Sequence, residues 1–283
     1  MKIQKSYDNT ETALYLVPTP IGNFDDFTYR AVEVLKNVDH IFCEDTRVTK
    51  VLLSHFNIDT PLSNYHIFNE EEQAEEIVRL LDEGKNIALV SDAGMPAISD
   101  PGFYVSRLAI DRCHKVISIP GANAGLTALI ASGIPCEKFY FNGFLPSRGN
   151  KRIKQLQELV DIKETIIFYE APHRIIDTLH DMLEVLGNRE IVIARELTKK
   201  YEEYIRGNLV DIIDNVVSLK GEIVIIVKGS EKTVEQENLL SLDIPNHYQH
   251  YLDLGFDEKA SMKQVAADRK ISKSDVYKIV KKD

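Results

Sequence analysis

The chain has 283 residues, of which 44% are hydrophobic and 28% charged, with a formal net charge of −10 at neutral pH. That balance excludes general disorder, no apolar run is long enough for a membrane-spanning helix, and the negative charge excludes a protein coated uniformly in nucleic acid. The length suits two packed α/β units with a short appended module. Cys43, Cys113 and Cys136 are odd in number and far apart, so they fit neither a disulfide framework nor a zinc site and read as reduced, mostly buried thiols. Met1 to Thr12 is polar and has neither a secretion-signal core nor an Arg-rich transit character, so a cytoplasmic location is expected.

In chain order, Ala13 to Val17 reads as a buried strand that ends in the rigid turn Pro18-Thr19-Pro20-Ile21-Gly22-Asn23. A helix with Phe27, Ala31, Val34, Leu35 and Val38 on one face follows, then a strand at Ile41 to Cys43. Ala74, Ile77, Val78 and Leu81 mark an acidic amphipathic helix stopped by Gly84, and Ile87 to Val90 is an apolar run of the kind buried on both sheet faces. Val116 to Ile119, Ile166 to Tyr169, Ile191 to Ala194 and Ile223 to Val227 supply four more strands. The alternation predicts an α/β protein with parallel sheets, and leaves room for antiparallel pairs in the second half. The expected divisions are residues 1–120, 121–230, a linker at 231–243 and a small helical module at 244–283. Within that module, Ala260, Val265 and Ala266 suggest one helix, and Ser272 with Asp275 forms a capping-box start for a second.

Ligands of open α/β sheets bind at strand ends, and the informative loops stand there. Ser91 to Gly102 follows a buried strand and holds two glycines, two prolines and two aspartates, a stiff loop with an approachable backbone; the same composition also suits a tight connection whose aspartates cap backbone groups. Glu44-Asp45-Thr46-Arg47, Phe168 to Arg174 and Arg195 to Lys199 occupy equivalent places, where solvated turns with ion pairs are the ordinary alternative. The dinucleotide, P-loop and zinc-protease signatures are missing, and the prolines of the first turn lack the N–H donors that a pyrophosphate needs.

Leu14 to Asn23, Glu44 to Arg47, Ser91 to Gly102, Phe144-Leu145-Pro146, Phe168 to Arg174 and Ala194 to Lys199 together resemble the ordered motifs of the RsmI family of bacterial small-subunit rRNA 2′-O-methyltransferases. The resemblance covers nearly the whole chain. It implies the two-domain tetrapyrrole-methylase fold (class III methyltransferases) with a small C-terminal helical module, S-adenosylmethionine in the cleft between the domains, no metal, and a homodimer. It also implies methylation of a cytidine ribose in 16S rRNA at the decoding centre. Asp92, Gly94, Met95 and Pro96 match the cofactor loop, Pro18 and Gly22 the first-strand turn, and Pro120, Gly121 and Ala124 the inter-domain turn. Two positions depart from the pattern: Met95 stands where Thr is common, and Ala122 where a second Pro is common.

In-line methyl transfer to a hydroxyl needs alignment, exclusion of water and a nearby base. Glu44, Asp45, Glu170 and His173 are the candidate bases, and Arg47 a candidate for holding the target; Glu44, Glu170 and Arg47 form the expected catalytic set. Arg148, Lys151, Arg152, Arg174, Arg195 and Lys199 are the expected RNA contacts, since Arg offers bidentate hydrogen bonds to phosphate. Residues 257–283 hold eight Lys or Arg against five Asp or Glu, a local surplus of positive charge in an acidic chain. A tetrapyrrole C-methyltransferase and a non-catalytic ribosome-assembly protein are the competing readings, and neither accounts for both the basic patches and the intact Ser91 to Gly102 loop.

Overall fold

A computed structural model describes residues 3–6, 12–65, 70–231, 239–269 and 271–281. Much of the polar N-terminal stretch and most of the expected linker lie outside these residues. The chain forms two compact units, Met1–Gly229 and Ser230–Asp283.

The first unit contains two five-stranded sheets. β1 (Ala13–Val17), β2 (His40–Cys43), β3 (Leu62–Asn64), β4 (Ile87–Val90) and β5 (Lys115–Ser118) form an all-parallel sheet in the order β3-β2-β4-β1-β5. β4 is buried along its whole length because it is flanked by β1 and β2 and covered on both faces. α1 (Tyr29–Asn37) and α2 (Thr46–His55) pack against one face through Ala31, Leu35, Leu52 and Leu53, and α3 (Glu70–Asp82) and α4 (Phe103–Asp111) against the other through Ile77, Leu81, Val105 and Ala109. Each fully buried Leu or Ile of this kind contributes about 1.5–3 kcal/mol. The N-termini of α1 and α2 are fixed by side-chain caps, Thr28 accepting from the Ala31 N–H and Asp45 from the Arg47 N–H.

α5 (Ala124–Ser132) leads into the second sheet: β6 (Phe139–Phe144), β7 (Thr165–Glu170), β8 (Glu190–Arg195), β9 (Glu203–Asn208) and β10 (Ile223–Val227), in the order β6-β7-β10-β8-β9. Only β6 and β7 are parallel; the remaining pairs are antiparallel. α6 (Gly149–Leu159), α7 (Ile175–Leu186) and α8 (Leu209–Asn215) cover one face of this sheet, and α5 packs on the other.

The three strands that periodicity does not announce, β3, β6 and β9, are the edges of their sheets or lie partly exposed, so their sequences lack a continuous apolar run. Of the three thiols expected to be mostly buried, only Cys43 is; Cys113 and Cys136 are exposed. Cys113 takes φ +67° in the turn after α4, which carries it out of the core.

Among the described residues of the second unit, α9 (Ile244–Asp253), α10 (Glu258–Arg269) and α11 (Lys273–Val280) pack around Tyr248, Met262, Val265 and Val276, α9 being a helix beyond the two expected. Ser272 makes the expected capping contact, accepting from the Asp275 N–H at 3.1 Å while its hydroxyl donates to the Asp275 carboxylate at 2.7 Å. Among the described residues no helix is long and apolar enough to cross a membrane.

Candidate active site

In the parallel sheet β1 and β4 are neighbours, so the loops at their C-terminal ends meet. Thr19 and Gly94 exchange both backbone hydrogen bonds, at 2.9 and 3.1 Å, and the Thr19 hydroxyl donates to the Ser91 carbonyl at 2.9 Å. The two stiff loops are thereby locked into one wall. Gly94 has φ +86°, a conformation that disfavours any side chain, and a Cβ there would meet Ile21 Cγ2 at 3.3 Å. Asp92 extends the wall sideways: its Oδ1 accepts from the Asp45 N–H at 3.0 Å, tying the end of β4 to the end of β2. Burial raises the Asp92 and Asp100 carboxyls above their ordinary values, and the Ser91 and Asp45 contacts only partly offset this.

The opposite wall comes from the second sheet. Asn123 caps α5, accepting from the Leu126 N–H at 2.9 Å, and its amide donates to Met95 Sδ at 3.8 Å, so the residue at the position where Thr is common touches across the seam. Gly121 packs on Pro18 so closely that a Cβ would come within 2.7 Å of the proline ring. The Gly125 N–H donates to the Tyr169 hydroxyl at 3.1 Å, and Tyr169 meets Phe141 and Phe144 edge-on, with ring centroids 5.1 and 5.6 Å away. Between the walls lies a cavity of about 660 Å³, bounded by the Asp92 to Met95 loop, Asp100, Ala124, Phe144, Tyr169, Leu197 and Val224. Non-glycine residues in left-handed backbone conformations occur in two of the bounding loops, Ala97 and Ser99 in one and Glu196 and Thr198 in the other. Such strain persists only where surrounding structure enforces it, and it concentrates at functional sites.

Of the expected cofactor residues, Asp92, Gly94, Met95 and Ala124 line this cavity. Pro18, Gly22, Pro96, Pro120 and Gly121 do not; Pro18 and Gly121 build the seam behind it, and Gly22 lies against the Lys199 stem. A second, more open groove of about 830 Å³, lined by His40 and the acidic face of α3, lies apart from every motif loop.

The expected catalytic residues separate. Glu44 is exposed and away from the cavity wall. Arg47 is turned out to solvent, its guanidinium held by Asp45 at 2.6 Å, and that pairing lowers the Asp45 carboxyl to about 2, which leaves it a weak base. Glu170 borders the cavity, but its side chain is buried and committed: Oε1 accepts from the Ala171 N–H and from Arg174, each at 2.7 Å, and Oε2 from the Thr178 hydroxyl at 2.6 Å. His173 is exposed.

The expected RNA contacts need a correction. Arg152 is buried, with its Nε 2.5 Å from Asp181, because Arg152, Leu156 and Leu159 share the inward face of α6. Arg174 is mostly buried against Glu170, and Arg195 pairs with Glu203 at 2.5 Å. Lys199 sits on the cavity wall between Glu196 and Glu222, at 3.0 and 2.9 Å. Burial opposes its charge, but the hydrogen bonds it donates to Glu222 and Glu196 win and raise its pKa, so it is held as a cation. Arg148 and Lys151 are exposed, as is Lys154 beside them.

The family of tetrapyrrole (corrin/porphyrin) methylases matches residues 13–213, which include both sheets except β10. The Ribosomal RNA small subunit methyltransferase I of Halalkalibacterium halodurans is 51% identical over 285 residues, covering 99% of each chain. Its namesake from Bacillus subtilis is 49% identical over 269 residues, covering 93% of this chain and 92% of its own. The chain belongs to the small-subunit rRNA methyltransferase I family of tetrapyrrole-type methylases. The fold agrees: the solved uroporphyrin-III-C-methyltransferase of Thermus thermophilus superposes with a TM-score of 0.56 over 77% of this chain and 94% of its own, at 16% identity.

As a methyltransferase of this family, the protein needs a site for a methyl donor and an approach for an acceptor. The residues that sequence reasoning did not single out, Tyr169, Asp100, Phe144 and Asn123, complete the cavity. Asp100, Phe144 and Tyr169 stand inside motifs already recognised, so their positions were signalled though their roles were not. Ile223 and Val224 were legible as strand but not as site residues, and Gly221 and Glu222 carried no signal, because it is the antiparallel pairing of β10 between β7 and β8 that brings them to the wall. Among the described residues no group of three or more His, Cys, Asp or Glu is arranged to hold a metal ion.

Proposed function

We propose that the protein uses S-adenosylmethionine to methylate the ribose 2′-hydroxyl of a cytidine in 16S rRNA of the small ribosomal subunit, in the cytoplasm and as a homodimer. The observation that carries this reading is the cavity between the two sheets. Its size lies within the range of small-ligand sites, and it combines apolar walls with a few convergent polar groups. Its residues fit the donor. Gly94 and Ala124 leave room for a ligand close to the backbone, Leu197 and Val224 offer apolar surface to an adenosine, and the Asp92 and Asp100 carboxylates favour a sulfonium charge. When bound, the donor supplies an electrophilic methyl group that a hydroxyl oxygen displaces in line. The chain itself contributes alignment and exclusion of water, with Tyr169 fixed by the Gly125 N–H and Lys199 fixed by two carboxylates.

The similarity to ribosomal RNA small subunit methyltransferases supports an RNA acceptor. On this reading Arg148, Lys151 and Lys154 at the start of α6 meet phosphate, while Arg174, Arg195 and Lys199 stiffen the cavity rim through their carboxylate partners. The exposed apolar side chains Leu126 and Ile130 of α5 support a dimer contact.

The test is transfer of labelled methyl from S-adenosylmethionine to unmethylated small subunits, to free 16S rRNA and to a porphyrinoid. The expected product is alkali-resistant ribose label in the small subunit. Reversing α6 charge with Arg148→Glu and Lys151→Glu weakens subunit binding and flattens its salt dependence by about one unit of slope per lost phosphate contact. Label on the porphyrinoid alone would replace the RNA reading with tetrapyrrole methylation.

A further inference from the structure

The reaction proposed above brings an acceptor ribose to a cavity of about 660 Å³ between two sheets, too small to admit a base-paired helix. The acceptor nucleotide must therefore leave its stack on entry and lose the neighbours of its base. A site that receives it needs a flat apolar surface for the base and cations for the flanking phosphates. Phe144 and the start of α6 supply both. Phe144 borders the cavity, yet 54% of it is exposed. Its position comes from a bulge. In a regular strand residues three apart face opposite sides, but β6 slips register against β7 between Phe141 and Gly143, so Asn142 has no partner across the ladder and Gly143 turns with φ +70°. The slip brings Phe141 and Phe144 together on one side, each edge-on to Tyr169. Phe144 and Tyr169 are inclined by 68°, so Tyr169 braces the ring without stacking on it, and the Gly125 N–H fixes Tyr169 in turn. The same bulge is tied to α6, where Gln155 Nε2 donates to Asn142 Oδ1 at 2.8 Å. Ring and helix start are thus held in one piece. Arg148, Lys151 and Lys154 are exposed there and form no salt bridge among the described residues.

We propose that Phe144 is the platform on which the base of the acceptor nucleotide stacks, a pyrimidine drawn out of its helix, while Arg148 and Lys151 hold the adjoining phosphates; the inference rests on the RNA acceptor reading above. A ring left half in solvent contributes little by its own burial, whereas a base laid on it replaces the stacking lost on extrusion. The braced ring sets the plane of the base, and with it the place of the ribose joined to that base. That is the alignment an in-line transfer demands. Phosphate contacts from the first turn of α6 add attraction without sequence preference, so ring and cations divide the work between placement and hold.

The experiment compares wild type with Phe144→Leu, which keeps apolar bulk but has no stacking face, and with Phe144→Tyr, which keeps the face. With small subunits as acceptor, the expected result is a kcat/KM about 10- to 100-fold lower in Phe144→Leu and recovered in Phe144→Tyr. Calorimetry with the donor locates the loss: donor affinity should fall by much less than kcat/KM. A second readout needs no turnover. Protein labelled with para-fluorophenylalanine is titrated with a short single-stranded oligocytidylate and with an abasic oligomer of equal phosphate count. The Phe144 fluorine signal, assigned by its loss in Phe144→Leu, should shift with the first oligomer alone. Wild-type kcat/KM in Phe144→Leu overturns the platform, as does a donor-affinity loss as large as the kcat/KM loss, which would make Phe144 part of the donor pocket. A signal that moves equally with both oligomers, or stays still in a protein that labels ribose, overturns it too. A shift with oligocytidylate in a protein that labels no ribose keeps the platform and overturns the ribose-methylation reading instead.

Discussion

Glu44 and Glu170 carry the same carboxylate at the ends of strands, in motifs equally prominent in the sequence, and their surroundings give them opposite fates. Exposure at the end of β2 leaves Glu44 beside the site, while burial at the end of β7 forces Glu170 to find partners for both oxygens. A buried carboxylate so engaged holds the start of α7 against β7, so Glu170→Gln should leave Arg174 without its counter-charge. The expected cost is about 2 kcal/mol of stability, read as a lower denaturant midpoint at unchanged slope. A midpoint equal to that of wild type would show that the pair is dispensable. Spacing could have placed Arg152 inside, because 152, 156 and 159 share one helical face; its charge concealed the pattern. The commitment of Lys199 to Glu222 was not legible, since that partner lies on a distant segment, whereas Arg174 and Glu170 stand only four residues apart.

At the level of elements, the central strands were legible because burial on both faces demands continuous apolar runs, as in β4 and β10. β6 and β9 are read from the sheet rather than from their own residues, as each owes its place to one neighbour. The C-terminal unit was legible as helical, but helix α9 was missed. α9 buries His247 and Tyr248 instead of an aliphatic stripe. His247 lies between α9 and α10, with Nε2 3.1 Å from Asp268 and Nδ1 accepting from Arg269 Nε at 2.9 Å. That geometry selects the neutral ring, protonated on Nε2. Burial first, then Arg269, lower its pKa from the ordinary 6.5, with His250 adding to the effect and Asp268 opposing it. Below the ordinary value the unfolded chain takes up a proton that the folded unit refuses. The His247 contribution to the stability of this unit is therefore fully present above pH of about 6.5 and is lost as pH drops toward the lowered folded value, by up to about 1.4 kcal/mol per pH unit. Hydrogen exchange of the α9 and α10 amides at pH 7.5 and 5.5 should show the loss, and His247→Gln should remove the difference. Equal protection at both pH values in wild type would rule it out.

For the molecule as a whole, the arrangement of two sheets creates the site. The parallel sheet aligns the C-terminal ends of β1, β2 and β4, so that three loops converge, and the second sheet closes the opposite wall with α5 and the ends of β7 and β10. The loops could be recognised in the sequence because their chemistry is local: prolines, glycines and aspartates after apolar runs. Their meeting could not, because the Thr19 to Gly94 bridge and the Met95 to Asn123 contact depend on pairing between segments far apart in the chain. Titration calorimetry with S-adenosylmethionine on wild type and Gly94→Val tests most directly whether that cavity is the donor site. Valine at φ +86° is strained by about 1–3 kcal/mol and its side chain would press on Ile21 at the cavity wall. One donor should bind per wild-type chain, and the folded variant should bind at least about tenfold more weakly, roughly 1.4 kcal/mol. Equal affinity in a correctly folded Gly94→Val protein, or no binding to wild type, would contradict the assignment of the cavity.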